Sequence, residues 1–511
     1  MLINTASNYA GKVVNLGMWF FLTPFMLNRM GESAYGLWTL VASLVAYGSL
    51  LDLGIAKATT KYIAEYFTQG EMKTARSLVA TALSIYLVLG LLVFVLVAIV
   101  APAFPNFFNI PDQEQSQIAW IVLLAGIDLA ISLPAAVTWA ILEGLQRFDL
   151  INILSITGSL LFGISIVIIL SNGGGVVGVV AANIPIGILM QIPALLFIRR
   201  VAPDLKIGLR GASPKLIRKV ASFSSALFVI NISRQLQTQA DEIVIGARMP
   251  VRFVTPYAIA HKLSGYSQLL AEQFIKLLMP LSSQFNAEYD WQRLRVLFKT
   301  GMRIALAIFL PVGAGTVLLA KPFLSAWVGP QYKQYSYLVT LLTYVSMLDI
   351  MNRSASFILQ GMEKHRLLAL SSLGSGLANL GLSLALISSL GLTGIAIGTV
   401  IPSTLETLFF VIPYTMRLLE IRFKHLLKEV ILPTFVPAGL MTLVLAILKQ
   451  IVQPASLFMI LLVAIAGLIA FFSSYMLLNR RSLEREFGNV LFQQLLAALV
   501  SGYNVIRGDS L

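Results

Sequence analysis

LEGLQRFDLINILSITGS (142–159) returns 217 residues later as LQGMEKHRLLALSSLGSG (359–376), with the Leu-x-Gly start and a basic residue ahead of an apolar run kept in register. Each copy leads into a pair of apolar stretches, and Pro185 in the first falls where Pro402 falls in the second. Upstream, NRMG (28–31) corresponds to ARMP (247–250), and AEYF (64–67) to AEYD (287–290). Self-similarity at one steady long offset marks a duplicated unit. Each copy holds an even number of apolar stretches, so both cross a membrane in the same sense. Parallel repeats of this kind are expected to form two lobes about an axis along the membrane normal, with a substrate site at their interface.

The composition agrees with a membrane setting. Of 511 residues, 57% are hydrophobic and 12% charged, and the mean hydropathy is +0.83. Soluble domains carry roughly 25% charged residues. A soluble enzyme, a disordered chain and a disulfide scaffold are excluded. Stretches long enough to span, at roughly 20 residues each, read as 6–28, 34–56, 76–101, 117–141, 150–171, 175–198, 219–247, 253–282, 298–320, 335–360, 367–389, 391–416, 429–449 and 454–478. The expected fold is an all-α polytopic membrane protein of about 14 transmembrane helices, two pseudo-symmetric six-helix lobes plus two extra C-terminal helices. The expected divisions are an N-terminal lobe 1–205, a C-terminal lobe 206–425, the two added helices in 426–480 and a tail 481–511. Leu483, Phe487, Val490, Leu491 and Leu495 share one side of that tail, as in an interfacial amphipathic helix. The opening MLINTASNYAGK has neither a basic start nor a small-residue cleavage site, so the first apolar run is read as a retained helix.

The 37 Lys and Arg against 23 Asp and Glu are unevenly spread. Seven basic residues lie in RRVAPDLKIGLRGASPKLIRK (199–219) and four in RLLEIRFKHLLK (417–428), both after even-numbered helices, whereas odd-numbered connections are poor in them. The positive-inside rule then places both termini in the cytoplasm. The basic excess is an orientation signal beside anionic lipid headgroups rather than a nucleic-acid footprint. Cysteine is absent, and His261, His365 and His425 are too scattered for a metal cluster.

Ionisable groups inside a bilayer are costly, so each marks a candidate cavity lining. Ser224, Asn231, Arg234, Thr238 and Asp241 share a face of helix 7, and His261, Gly265, Gln268, Glu272 and Lys276 share a face of helix 8, with Lys262 beside them. Helix 10 repeats the pattern with Asp349, Arg353, Ser356 and Gln360. The first half is sparser, with Asn8, Lys12 and Asn15 on helix 1 and Asp128 on helix 4. Arg234, Lys262, Arg353, Lys12, Asn231, Gln268 and Lys276 are the candidate substrate contacts; Asp128, Asp349, Asp241 and Glu272 are the candidate ion-coupling acids. Glu272–Lys276 and Asp349–Arg353 also suit i,i+4 pairing, so purely structural neutralisation stands beside the cavity reading. No nucleotide-binding loop or metal motif occurs, so no cofactor is expected and energy would come from an H+ or Na+ gradient or the membrane potential.

The segment LNRMGESAYGLWTLVASLVAYGSLLDLGIAKATTKYIAEYFTQGE (27–71) resembles the opening of bacterial polysaccharide flippases, the O-antigen (Wzx-like) branch of the MOP superfamily. The features that carry the resemblance are the G-x-x-x-Y-G-x-W run from Gly31 to Trp38 and LLDLGI from Leu50 to Ile55, followed by a basic, Glu-containing loop. The LEGLQRF and LQGMEKH loops are similar to those after helices 4 and 10 in that family. The resemblance implies export of an undecaprenyl-pyrophosphate-linked oligosaccharide from the cytoplasmic to the outer leaflet of the bacterial inner membrane, by alternating access and without catalysis of a bond change. It also implies membrane lipids as partners, polysaccharide polymerase and glycosyltransferases as neighbours in the pathway, and a monomer as the working unit. A multidrug extruder of the same superfamily would favour acids and aromatics over Lys and Arg stripes. A membrane glycosyltransferase or polymerase would need a large outer loop, and the longest outer connections here, 102–116 and 321–334, are short.

Overall fold

The computed structural model describes residues 2–108, 110, 112–221, 232, 235–237 and 239–487. In hydrocarbon every backbone polar group must be satisfied within its own segment, so long apolar runs become helices. The helices are α1 (Leu2–Gly48), α2 (Ile55–Gln69), α3 (Met72–Val100), α4 (Asp112–Gly144), α5 (Phe148–Ser171), α6 (Val176–Val201), α7 (Ala240–Arg248), α8 (Val254–Tyr266) and α9 (Leu269–Ile275). There follow α10 (Leu278–Ala287), α11 (Trp291–Trp327), α12 (Ser336–Gly361), α13 (His365–Leu390), α14 (Leu392–Thr404), α15 (Ile412–Leu418), α16 (Phe423–Leu426), α17 (Leu432–Val452) and α18 (Leu457–Phe487). π-Helical turns at Leu405–Val411 and Leu427–Ile431 make 392–418 and 423–452 continuous helical stretches. No strand occurs among the described residues.

Ten stretches of the described residues are long and apolar enough to cross a membrane. The stretch Val14–Asp52 takes in both of the first two expected spans: Gly31 (φ 80°, ψ 172°) breaks the helix between them, and the chain turns back there, so that the rings of Trp19 and Trp38 stack at 5.6 Å. Of the expected span 219–247, residues 222–231, 233, 234 and 238 lie outside the described residues, and its end forms α7. The expected span 335–360 is present as α12 but is too polar to count by composition. The expected span 253–282 is not one straight helix; it is cut into α8, α9 and α10. Ser264 and Ser267 turn their hydroxyls onto backbone carbonyls beside Gly265, and such Ser/Gly groupings bend helices.

The chain divides into two compact units, Met1–Thr255 and Pro256–Leu511. In the first, α7 packs on the second half of α1, where Gly246 lies against Leu40, and Thr255 Oγ1 donates to the Glu32 carbonyl at 2.7 Å. The basic connection after α6 is clipped to α2 and α3. Ser213 N–H donates to Thr81 Oγ1 at 3.0 Å, and Lys219 Nζ donates to Tyr66 Oη at 2.8 Å while lying 4.3 Å from the Tyr62 ring centroid.

The repeat seen in the sequence recurs in backbone geometry. In the first unit α4 ends with Gln146 at φ 55°, Gln146 N–H bonding to Glu143 O and Arg147 N–H to Leu142 O. In the second unit α12 ends with Glu363 at φ 61°, Glu363 N–H bonding to Gln360 O and Lys364 N–H to Leu359 O. Both are Schellman closures, which satisfy carbonyls left over at a helix end. Gly70 is matched in the same way by Tyr289.

The same loops set the helix crossings. A Cβ on Gly144 would lie 2.8 Å from the Thr60 carbonyl oxygen on α2, and one on Gly361 would lie 2.7 Å from that of Met279 on α10. Glycine lets these backbones meet where any side chain would collide.

Two of the helix-interior prolines are handled by the same device. Pro322 and Pro437 lack an N–H, so the carbonyls of Leu318 and Pro433 lose their helical partners. Lys449 Nζ donates to Leu318 O at 2.7 Å, tying α17 to α11, and Asn479 Nδ2 donates to Pro433 O at 3.1 Å, tying α18 to α17. The helices beyond the repeat are thus held by polar bonds that lipid cannot supply. Replacing Asn479 with Leu is expected to cost about 1–2 kcal/mol, as for a buried acceptor left unpaired. Pro437→Ala, which restores the missing N–H, should recover most of the loss. Denaturation of the detergent-solubilised variants checks both.

Candidate functional site

In the second unit the polar residues of α12 fall on one helix face because Asp349, Asn352, Arg353 and Ser356 are three or four apart. The opposite face, including Ile350, Met351, Ser354, Ala355 and Ile358, is buried. Arg353 sits between two carboxylates. Its Nε donates to Asp349 Oδ2 at 2.9 Å along the helix, and its Nη1 donates to Glu272 Oε1 at 2.9 Å on α9. The three side chains are 22–33% exposed, so the cluster is half-open rather than sealed. Two charge-assisted bonds on one guanidinium are strong, geometrically specific interactions. Asn352 extends the network, donating to Thr407 Oγ1 at 3.3 Å and accepting from Ser356 Oγ at 2.9 Å.

Glu272 therefore does not pair with Lys276, as the i,i+4 spacing suggested. Helix α9 ends at Ile275, the backbone bends there, and Lys276 is exposed. The Asp349–Arg353 pair does form. Lys262 and Gln268 are half-buried on the same bent segment. Asp241 is buried in α7 of the first unit, beside the equally buried Glu242. Asn231 and Arg234 lie outside the described residues, and nothing is described of the Lys12 side chain.

One further acid belongs to the second unit's polar set. Glu406 is 9% exposed, sits in the π-helical turn and accepts from Ser372 Oγ at 2.9 Å and Ser371 Oγ at 3.4 Å on α13. π-Helical turns widen the helix and recur at functional positions. The signal for it lay in TVIPSTLETLFFVIPY (399–414), where Glu406 is the single charged residue in an apolar run.

The first unit holds a cavity of about 400 Å³ among α4, α5 and α6, lined by Asp128, Trp139, Ser155, Ser159, Asn183 and Gln191 with apolar neighbours. Asn183 Nδ2 donates to Asp128 Oδ2 at 2.7 Å, and Asn15 on α1 donates to Ser159 Oγ at 3.2 Å. Asp52 is engaged at a helix junction, where it accepts from the Tyr86 hydroxyl and from Ala56 N–H at 3.0 Å. In the turn between the spans of α4 and α5, Arg147 pairs with Asp149 at the start of α5 through two bonds of 3.0 and 2.9 Å, which raises the guanidinium above its ordinary pKa.

Apolar spanning helices, a duplicated helical unit and polar clusters set within the spans define a multi-pass α-helical membrane protein with a transporter fold. The fold is similar to that of a lipid II flippase, MurJ in an inward closed conformation, at TM-score 0.75 and 12% identity over 94% of this chain and 100% of that one. It is also similar to an inward-facing multidrug resistance MATE family transporter of the MOP superfamily, at TM-score 0.66 and 17% identity over 80% of this chain and 94% of that one. The chain belongs to the polysaccharide biosynthesis protein family, whose profile matches residues 29–337. A candidate O-antigen transporter of Salmonella typhi is 23% identical over 62% of this chain and 72% of its own length.

Proposed function

We propose that this chain is a flippase that moves an undecaprenyl-pyrophosphate-linked oligosaccharide from the cytoplasmic to the outer leaflet of a bacterial inner membrane. The observation that carries the mechanism is Arg353 held between Asp349 and Glu272. Arginine has five donors in a planar fork, which suits a diphosphate. The two carboxylates engage Nε and Nη1, two of its five N–H donors, and hold the fork in place. A proton or Na+ taken up by either acid weakens its hold, frees a further donor and lets the guanidinium turn toward phosphate oxygens. Substrate binding and ion binding are thereby coupled through one side chain, in keeping with alternating access driven by an ion gradient. Arg234 and Lys262 add positive charge to the path in this reading, with Gln268, Lys276, Asn231 and Lys12 as further polar contacts. Asp128 and Asp241 remain the candidate coupling acids of the first unit.

The charge distribution supports cytoplasmic termini. The protein makes and breaks no covalent bond in this scheme; glycosyltransferases supply its substrate and a polymerase consumes its product. A monomer suffices. Deleting the gene should abolish the surface glycan and leave the lipid-linked intermediate inside the cell, recoverable from membranes and shielded from impermeant oxidants of sugars. Unchanged surface glycan with no such accumulation would overturn the assignment.

A further inference from the structure

The cavity of the first unit has a chemistry unlike that of the Arg353 cluster. Its volume, about 400 Å³, is that of a small-molecule pocket. A carboxylate, two amides and several hydroxyls converge there, from Asp128, Asn183, Gln191, Ser132, Ser155 and Ser159. Trp139 and Phe162 give it aromatic walls, and the buried Leu154 and Met190 an apolar base. Such polar density in a spanning segment is too costly for contact with acyl chains. The Asp128 carboxylate repels phosphate oxygens, so a diphosphate is disfavoured in the same space.

The hydrogen bonding is arranged for hydroxyl donors. Asn183 spends an amide hydrogen on Asp128 Oδ2 at 2.7 Å, which fixes the amide's orientation. That bond leaves Asp128 Oδ1 and the Asn183 carbonyl oxygen as two acceptors within one hydrogen-bonded pair, which neighbouring hydroxyls of a sugar ring can satisfy. An indole lining the same cavity as such acceptors suits the C–H-rich face of a pyranose, apolar on one side and polar at its rim.

We propose that this cavity is a glycan subsite that takes a neutral or amino sugar of the lipid-linked substrate, while the diphosphate is bound elsewhere, by cationic groups. The proposal rests on the flippase reading and adds to it the part of the substrate recognised by the first unit. It predicts that Trp139 and Asn183 govern affinity for the sugar portion alone.

The test compares two ligands on purified protein in nanodiscs. One is the lipid-linked oligosaccharide extracted from the source organism's membranes; the other is bare undecaprenyl pyrophosphate. The parent should bind the glycosylated lipid about tenfold more tightly, as expected for one stacked ring with a pair of hydrogen bonds. In Trp139→Ala and Asn183→Leu that ratio should fall to about one, with affinity for the bare lipid unchanged, which also shows that the variants fold. Trp139→Phe should keep most of the ratio. A parental ratio in both variants, or an equal loss for both ligands, overturns the subsite. Failure of the parent to bind either lipid overturns the flippase reading itself and the subsite with it.

Discussion

Arg353→Gln is expected to abolish export and to destabilise the second unit by about 2–3 kcal/mol. Removing one partner of a buried ion pair leaves uncompensated charge and costs about 3–5 kcal/mol. Here Asp349 and Glu272 are 33% and 22% exposed, so solvent screening brings the cost to the lower end of that range or just below it. Glutamine keeps much of the length and some donors but removes the charge that both carboxylates balance. The double change Arg353→Gln with Glu272→Gln should recover much of the stability, because only the Asp349 charge is then left without its cation. It should not recover export, because the diphosphate still lacks its guanidinium. Arg353→Lys should fold near-normally and export poorly, since a point charge replaces a bidentate fork. Thermal unfolding in detergent and surface glycan quantified in cells check the two effects separately.

Gly144→Val and Gly361→Val are expected to be similarly damaging to each other, each on the order of 2–3 kcal/mol, the upper range for forced overpacking. The reason is the repeat. A Cβ at either position would meet a backbone carbonyl oxygen, Thr60 O at 2.8 Å or Met279 O at 2.7 Å, and backbone cannot swing aside as a long side chain can. Gly144→Ala and Gly361→Ala should show most of the effect, because the clash is with Cβ itself. Gly187 and Gly374, which face open space, are the controls and should accept alanine with little change. Folded yield and unfolding temperature in detergent measure the series. An innocuous Gly361→Ala beside a damaging Gly144→Ala would mean that the two crossings are not equivalent.

The helical architecture was legible because hydropathy and the 217-residue offset act over tens of residues, and backbone satisfaction in lipid leaves few alternatives. The repeated loops also carried their own geometry, as the Schellman closures at Gln146 and Glu363 show. The bend that breaks 253–282 was not legible, since Ser264, Gly265 and Ser267 are tolerated in straight spanning helices as well. Pairing was harder still. The spacing of Glu272 and Lys276 suggested an intrahelical bond, but tertiary packing brought Arg353 to Glu272 and left Lys276 exposed. Asp128 was conspicuous as a lone acid, whereas its partner Asn183 was inconspicuous because an amide in a spanning helix is much less unusual than a charge. Glu406 carried a clear signal, a single acid amid apolar residues, and only its position in a π-helical turn needed the structure.

The most direct test of the central claim is transport by the purified protein alone. It would be reconstituted into liposomes whose inner leaflet carries the lipid-linked oligosaccharide isolated from the source organism. An impermeant glycosidase or lectin outside then reports arrival of the glycan at the outer leaflet. Protein-containing vesicles should expose the glycan far faster than empty ones, faster still with an imposed ion gradient, and Arg353→Gln vesicles should match the empty controls. Exposure at the empty-vesicle rate with the parental protein, gradient applied, would contradict the account.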